Sequence, residues 1–138
     1  MAVSAREAAL IRASFRSVHD RIVPASRDFY EVLFRRRPDL RGLFRSDLAG
    51  QGMRFMSTLQ VVVDTLEAPD AVAARLRDLG HSHAALGVKP ENFEPMREAL
   101  FEVLGTYLGV GWDAETQAAW RKAYDQMAAR MIAAGRAL

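Results

Sequence analysis

Leu79-Gly80-His81-Ser82-His83-Ala84-Ala85-Leu86-Gly87-Val88-Lys89-Pro90-Glu91-Asn92-Phe93 is the stretch on which the reading of the chain turns. An amphipathic helix runs out into a Gly-Val-Lys-Pro turn, and a second helix opens beyond it. His83 falls near the end of the first helix with Leu79, Leu86 and Val88 as apolar neighbours. A neutral imidazole is a common metal ligand, and its chemistry depends on what else lines the pocket. A partly buried histidine bonded to a carbonyl is the commoner use. Taken alone, the stretch favours that plainer reading.

The rest of the chain sets limits. Its 138 residues suffice for one domain with a real core, expected to span residues 1–138. Half the residues are apolar and 26% are charged, ordinary values for a soluble globule. A formal charge of +2 is too small to argue for nucleic acid or an anionic membrane as partner. The absence of cysteine excludes disulfides, zinc-thiolate sites and thiol nucleophiles, and it fits a cytoplasmic location. Residues Met1 to Phe15 carry charges every few positions, unlike a secretory signal. The apolar run Val61-Val62-Val63 closes at Asp64, far short of a membrane span. Nothing in the sequence separates a monomer from a homodimer.

Helical spacing dominates. Ser4 and Glu7 form a capping-box pattern, followed by an apolar stripe of Ala8, Ile11, Phe15, Val18 and Ile22. Pro24 breaks that helix and suits the first turn of the next, which carries Phe29, Tyr30, Leu33 and Phe34. Arg35-Arg36-Arg37 complements the dipole at its end and reads as a solvated face, because Asp28, Glu31, Asp39 and Asp47 dilute the charge. Pro38 to Phe44 predicts a short helix. Another helix passes through Gln51, Phe55, Leu59, Val62 and Leu66, and Ala71 to Leu86 leads to His83. Asn92 is placed to cap a helix bearing Phe93, Met96, Leu100, Val103, Leu104 and Tyr107, with Pro95 in its first turn. Gly109 and Gly111 interrupt the pattern. Asp113 then caps a long last helix with Ala119, Trp120, Ala123, Met127, Met131 and Ile132. The fold class is all-α, with six to eight helices too uneven in length for a simple four-helix bundle.

Three groups stand out against the apolar stripes: Tyr30, Gln51 and His83. Each alone has a plain structural use. Their arrangement resembles the globin family, in particular single-domain bacterial haemoglobins and the haem domain of flavohaemoglobins, over nearly the whole chain. Phe29-Tyr30 followed by Pro38-Asp39-Leu40 and Leu43-Phe44 is similar to the globin second and third helices. Gln51 with Arg54-Phe55-Met56 resembles the distal helix, and the 28-residue interval from Phe55 to His83 matches the family's distal-to-proximal spacing. His83 with Gly87-Val88, Pro90-Glu91 and Phe93 resembles the proximal segment. Trp120-Arg121-Lys122-Ala123-Tyr124 looks like the start of the closing helix.

The resemblance implies a globin fold around haem b. His83 is then the proximal iron ligand, and Tyr30 and Gln51 are distal hydrogen-bond donors to a diatomic ligand such as O₂. Phe44 and Phe55 would lie against the haem, Phe55 also facing the ligand. Arg54 would meet a propionate, and Val88 and Phe93 would line the proximal side. His81 does not fit the spacing to Gly87, Val88 and Pro90 and reads as exposed. One departure bears on activity. The family's catalytic members place a tyrosine and a glutamate beside the proximal histidine, and here those positions read as Phe93 and Gly135. Neither side chain can hydrogen-bond an imidazole, so the ligand gains no added basicity from them. The expectation tilts towards a reversible O₂ binder rather than an enzyme. The alternatives are a nitric oxide dioxygenase served by a separate reductase, since these 138 residues leave no room for one, and a gas-sensing or protein-binding helical module.

Overall fold

The computed structural model describes residues 3–43 and 89–136, together with Val63, Leu66, Ala74, Arg77 and Asp78. Among the described residues there are four long helices and no strand. These are α1 (Ala5–His19), α2 (Ile22–Arg36), α3 (Phe93–Leu108) and α4 (Ala114–Arg136). Short 3₁₀ turns occupy Pro38–Leu43, Pro90–Asn92 and Gly109–Gly111. None of the described helices is long and apolar enough to cross a membrane.

The helix starts follow from their first residues. Ser4 Oγ accepts from the Glu7 amide at 3.1 Å, and Glu7 Oε1 accepts from the Ser4 amide at 2.8 Å, a complete capping box. Asp113 Oδ1 accepts from the Thr116 amide at 2.8 Å and opens α4. That bond and the Thr116 hydroxyl hold the Asp113 carboxyl below its usual range. Pro24 lies in the first turn of α2, where its missing donor is no loss. Asn92 departs from expectation. It stands at the position before α3 but makes no side-chain cap; its carbonyl oxygen instead accepts from the Lys89 amide at 2.8 Å and braces the preceding 3₁₀ turn. The closing helix also begins earlier than its Trp120–Tyr124 signature, at Ala114.

Packing pairs α2 with α3 and α1 with α4, and α1 also touches α3. Ala8, Ile11, Phe15 and Val18 of α1 are buried, as the spacing predicts. So are Phe29, Tyr30, Leu33 and Phe34 of α2, and Phe93, Met96, Leu100, Val103 and Leu104 of α3. From α4 come Ala119, Trp120, Tyr124, Ala128 and Met131. At the end of α3 the chain reverses through Gly109, whose φ of +54° suits a residue without Cβ. Gly105, a turn earlier, lets the Trp112 indole lie close: a Cβ there would stand 3.1 Å from Trp112 Cδ1.

Charges sit at the helix rims. Arg36 meets Glu102 at 2.7 Å and Arg35 binds the same carboxylate, which both hold below its usual pKa. Arg37 pairs with Asp39 at 2.8 Å. The arginine triplet is therefore exposed, as expected, but its cations are matched by carboxylates. At the opposite end of α2 the Tyr107 hydroxyl donates to Asp28 at 2.6 Å, and the Arg21 guanidinium lies 4.8 Å from the Tyr107 ring centre.

Candidate functional site

Of the residues singled out for haem and gas, Tyr30 and Phe93 fall among the described residues. Gln51, Arg54, Phe55, His83, Val88 and Phe44, and with them His81, lie outside those residues.

Tyr30 is placed by the periodicity of α2, and its residue is only 6% exposed. Its ring meets Phe29 edge-on at 5.1 Å between centroids and lies nearly parallel to Phe34 at 5.8 Å. Leu40, from the 3₁₀ turn after α2, is buried in the same core cluster. A phenol among aromatic rings brings one polar tip to an otherwise apolar wall. That composition suits a flat apolar group carrying a small polar ligand better than it suits a bare metal ion.

Phe93 opens α3 and is buried in the same core cluster. The side chain carries no hydrogen-bonding group, but its carbonyl accepts a buried bond of 2.8 Å from the Tyr124 hydroxyl of α4. Burial, the leading cause, pushes the Tyr124 phenol well above its ordinary pKa, so it stays a neutral donor. Sequence reasoning treated Tyr124 as a mark of the closing helix and missed this role. The signal was available: Trp120 and Tyr124 lie four apart on an apolar face, and each buried polar tip needs a partner. For Trp120 the partner is Ser14 Oγ of α1, 2.7 Å from the indole nitrogen.

The same two aromatics, with Ile11, Val63, Leu66, Ala123 and Met127, line a small crevice of about 270 Å³, counting the solvent at its mouth. Both polar tips turn to partners elsewhere, so the crevice presents hydrocarbon. It includes neither Tyr30 nor Phe93, and it lies between α1, α4 and the residues Val63 and Leu66.

Comparison with known proteins identifies the family. Residues 27–131 match the family model described as Globin. A flavohemoprotein of Rhizobium meliloti is 30% identical over 103 residues, covering 72% of this chain and 26% of that protein. A neuroglobin of Tetraodon nigroviridis is 29% identical over 143 residues, covering 94% of this chain and 90% of the neuroglobin. Leghemoglobin-1 of Lupinus luteus is 28% identical over 137 residues, covering 88% of each. The chain spans about a quarter of the length of the flavohemoproteins it matches.

Proposed function

The chain belongs to the globin family, a family of haem proteins, and from that premise we propose that it reversibly binds O₂ and other diatomic gases on haem b. When bound, haem supplies a ferrous iron able to take a diatomic ligand. The chain's residues do the rest. His83 would hold the iron from the proximal side. Tyr30 and Gln51 would donate hydrogen bonds to the ligand, with Phe44 and Phe55 against the haem, Arg54 at a propionate, and Val88 and Phe93 on the proximal side. What carries the reading is the burial of Tyr30 in the aromatic face of α2, inside the matched region.

The donors set the ligand preference. A bond to a strongly polarised acceptor is worth about 1.5–3 kcal/mol, against about 1 kcal/mol for a neutral one. O₂ draws electron density from ferrous iron and gains from both donors, whereas CO gains less. Two such bonds would slow O₂ release by roughly two orders of magnitude, since about 1.4 kcal/mol is tenfold.

The deciding measurement is the absorption spectrum of the ferric, ferrous and oxy forms, with His83→Ala beside the wild type. A Soret band in the wild type, lost or strongly shifted in the variant, is expected. No band at all would remove haem. An unchanged band in the variant would remove His83 and bring His81 forward.

A second reading, nitric oxide dioxygenation with a separate reductase, is favoured by the likeness to flavohemoproteins, whose name declares both flavin and haem. Against it stands Phe93, which has no side-chain donor for the proximal imidazole. Stopped-flow mixing of the oxy form with NO, with and without a reducing system, separates the two: repeated turnover would mark the dioxygenase.

A further inference from the structure

Two tryptophans and three tyrosines are the side chains of this sequence most easily stripped of one electron, and no cysteine competes with them. Losing that electron makes the phenol or indole proton strongly acidic. The oxidised state therefore persists where a base stands ready to take the proton. Tyr124 donates to the Phe93 carbonyl and Trp120 to the Ser14 hydroxyl, and neither acceptor is a base. Tyr107, half-buried near the end of α3, is placed differently. Its hydroxyl donates to Asp28 Oδ2 of α2 at 2.6 Å, within the range of a charge-assisted bond to a carboxylate. Arg21 holds the ring in place: Nη2 donates to the Tyr107 carbonyl at 3.1 Å and to the Ser17 carbonyl at 3.2 Å, and the guanidinium lies over the ring.

These surroundings close two of the three routes by which a phenol gives up an electron. Burial first, and then the bond to Asp28, pushes the Tyr107 phenol above its ordinary pKa, so phenolate is not the donor. The cation over the ring penalises a ring radical cation. What remains is a single step in which the electron leaves and the proton moves across the short bond to Asp28. We infer that Tyr107 and Asp28 form a proton-coupled electron-donor site for a small radical oxidant, nitrogen dioxide. This oxidant is uncharged, takes one electron, and forms wherever nitric oxide meets O₂. Nitrogen dioxide becomes nitrite, the phenol proton passes to Asp28 Oδ2, and a neutral tyrosyl radical remains. A second nitrogen dioxide bonds to the ring carbon beside the oxygen, that carbon loses its proton to water, and nitrotyrosine is the stable product. The site itself does not rest on the haem reading.

Nitrogen dioxide is generated by pulse radiolysis of a nitrite buffer containing the full chain, and each tyrosine is scored for nitration by peptide mapping. Radical that misses a ring is lost to recombination, so the yield follows the rate. Tyr107 is expected to take most of the nitro groups and Tyr124 almost none. Asp28→Asn keeps an oxygen to accept the hydroxyl bond but removes the base. Nitration at Tyr107 should then fall roughly ten- to a hundredfold, at or below the usual span for a placed base, with the yields at Tyr30 and Tyr124 unchanged. A merely structural tie between α2 and α3 would not move that yield in a variant that keeps the bond. In heavy water the wild-type yield at Tyr107 should also fall, because the proton moves in the same step. Equal nitration of Tyr107 in the wild type and a folded Asp28→Asn would show that exposure alone selects the ring, and the inference is overturned. Should the variant fail to fold, the heavy-water comparison on the wild type decides alone, and an undiminished yield there overturns it.

Discussion

The α1–α4 pair and the α2–α3 pair bury similar kinds of residue but are fastened differently. Directional bonds run along the α1–α4 contact: Arg6 to Glu115 at 2.9 Å, Lys122 to Glu7 at 3.0 Å, and Trp120 to Ser14 in the buried middle. In the α2–α3 pair the ionic contacts stand at the two ends, Arg35 and Arg36 with Glu102, and Arg21 and Asp28 around Tyr107. Between those ends lie Phe29, Leu33, Leu100 and Leu104, none more than 2% exposed. The contrast separates two tasks. A hydrogen bond in the interior fixes the register of two helices, which suits a scaffold. The aliphatic and aromatic interior of the α2–α3 pair also holds Tyr30, buried beside Phe29 and Phe34.

The largest effect expected from this contrast is Leu33→Ala. Leu33 is fully buried in the middle of α2, and truncation should cost about 2–5 kcal/mol, measured by denaturant unfolding. It should exceed the loss in Trp120→Phe, about 1–3 kcal/mol for a broken buried bond. The reverse order would mean that the polar contact, not the apolar one, dominates cohesion, and the comparison would fail.

Next comes Tyr30→Phe, which tests function on the α2 side. The substitution keeps the ring between Phe29 and Phe34, so the unfolding midpoint should change little. The O₂ dissociation rate should rise by about tenfold or more, from the loss of one bond to a polarised acceptor. An unchanged off-rate in stopped-flow displacement by CO would remove Tyr30 from ligand stabilisation.

These outcomes bear on what could be read from the sequence. The described helices, the Ser4–Glu7 box, the Asp113 cap and the burial of Tyr30 were legible, because each follows from residues within a turn or two of one another. The break expected at Pro24 falls earlier, after His19, so that Ile22 opens α2 instead of closing the α1 stripe and Pro24 lies inside α2. Asn92 was misread because a cap and a 3₁₀ brace use the same side chain, and only the backbone path decides between them. The pairing of Arg35 and Arg36 with Glu102 was not legible, since 66 and 67 residues separate the partners. The bond from Tyr124 to Phe93 was hidden for a further reason. A carbonyl acceptor carries no residue identity, so no pattern of side chains announces it. The family resemblance supplied the expected site, and packing supplied a buried bond to the backbone of one of its expected residues, Phe93.

The smallest effect concerns the acid limit of the α1–α4 fastening. The Glu7 carboxylate accepts from the Ser4 amide and from Lys122 Nζ, and its pKa falls from the usual 4.5 to about 2. A carboxyl whose folded pKa lies below its unfolded one stabilises the fold fully above the unfolded value. That contribution drains away as pH falls through the folded one. Glu7→Gln keeps an oxygen for the Ser4 amide but gives up the charge opposite Lys122. The variant should therefore unfold slightly more easily than the wild type at pH 7. The difference should narrow steadily from about pH 4.5 downward and vanish near pH 2. Unfolding midpoints measured across that range decide it. A difference that persists undiminished at pH 2 would show that Glu7 acts through shape and capping rather than charge, and the α1–α4 side would lose one of its electrostatic ties.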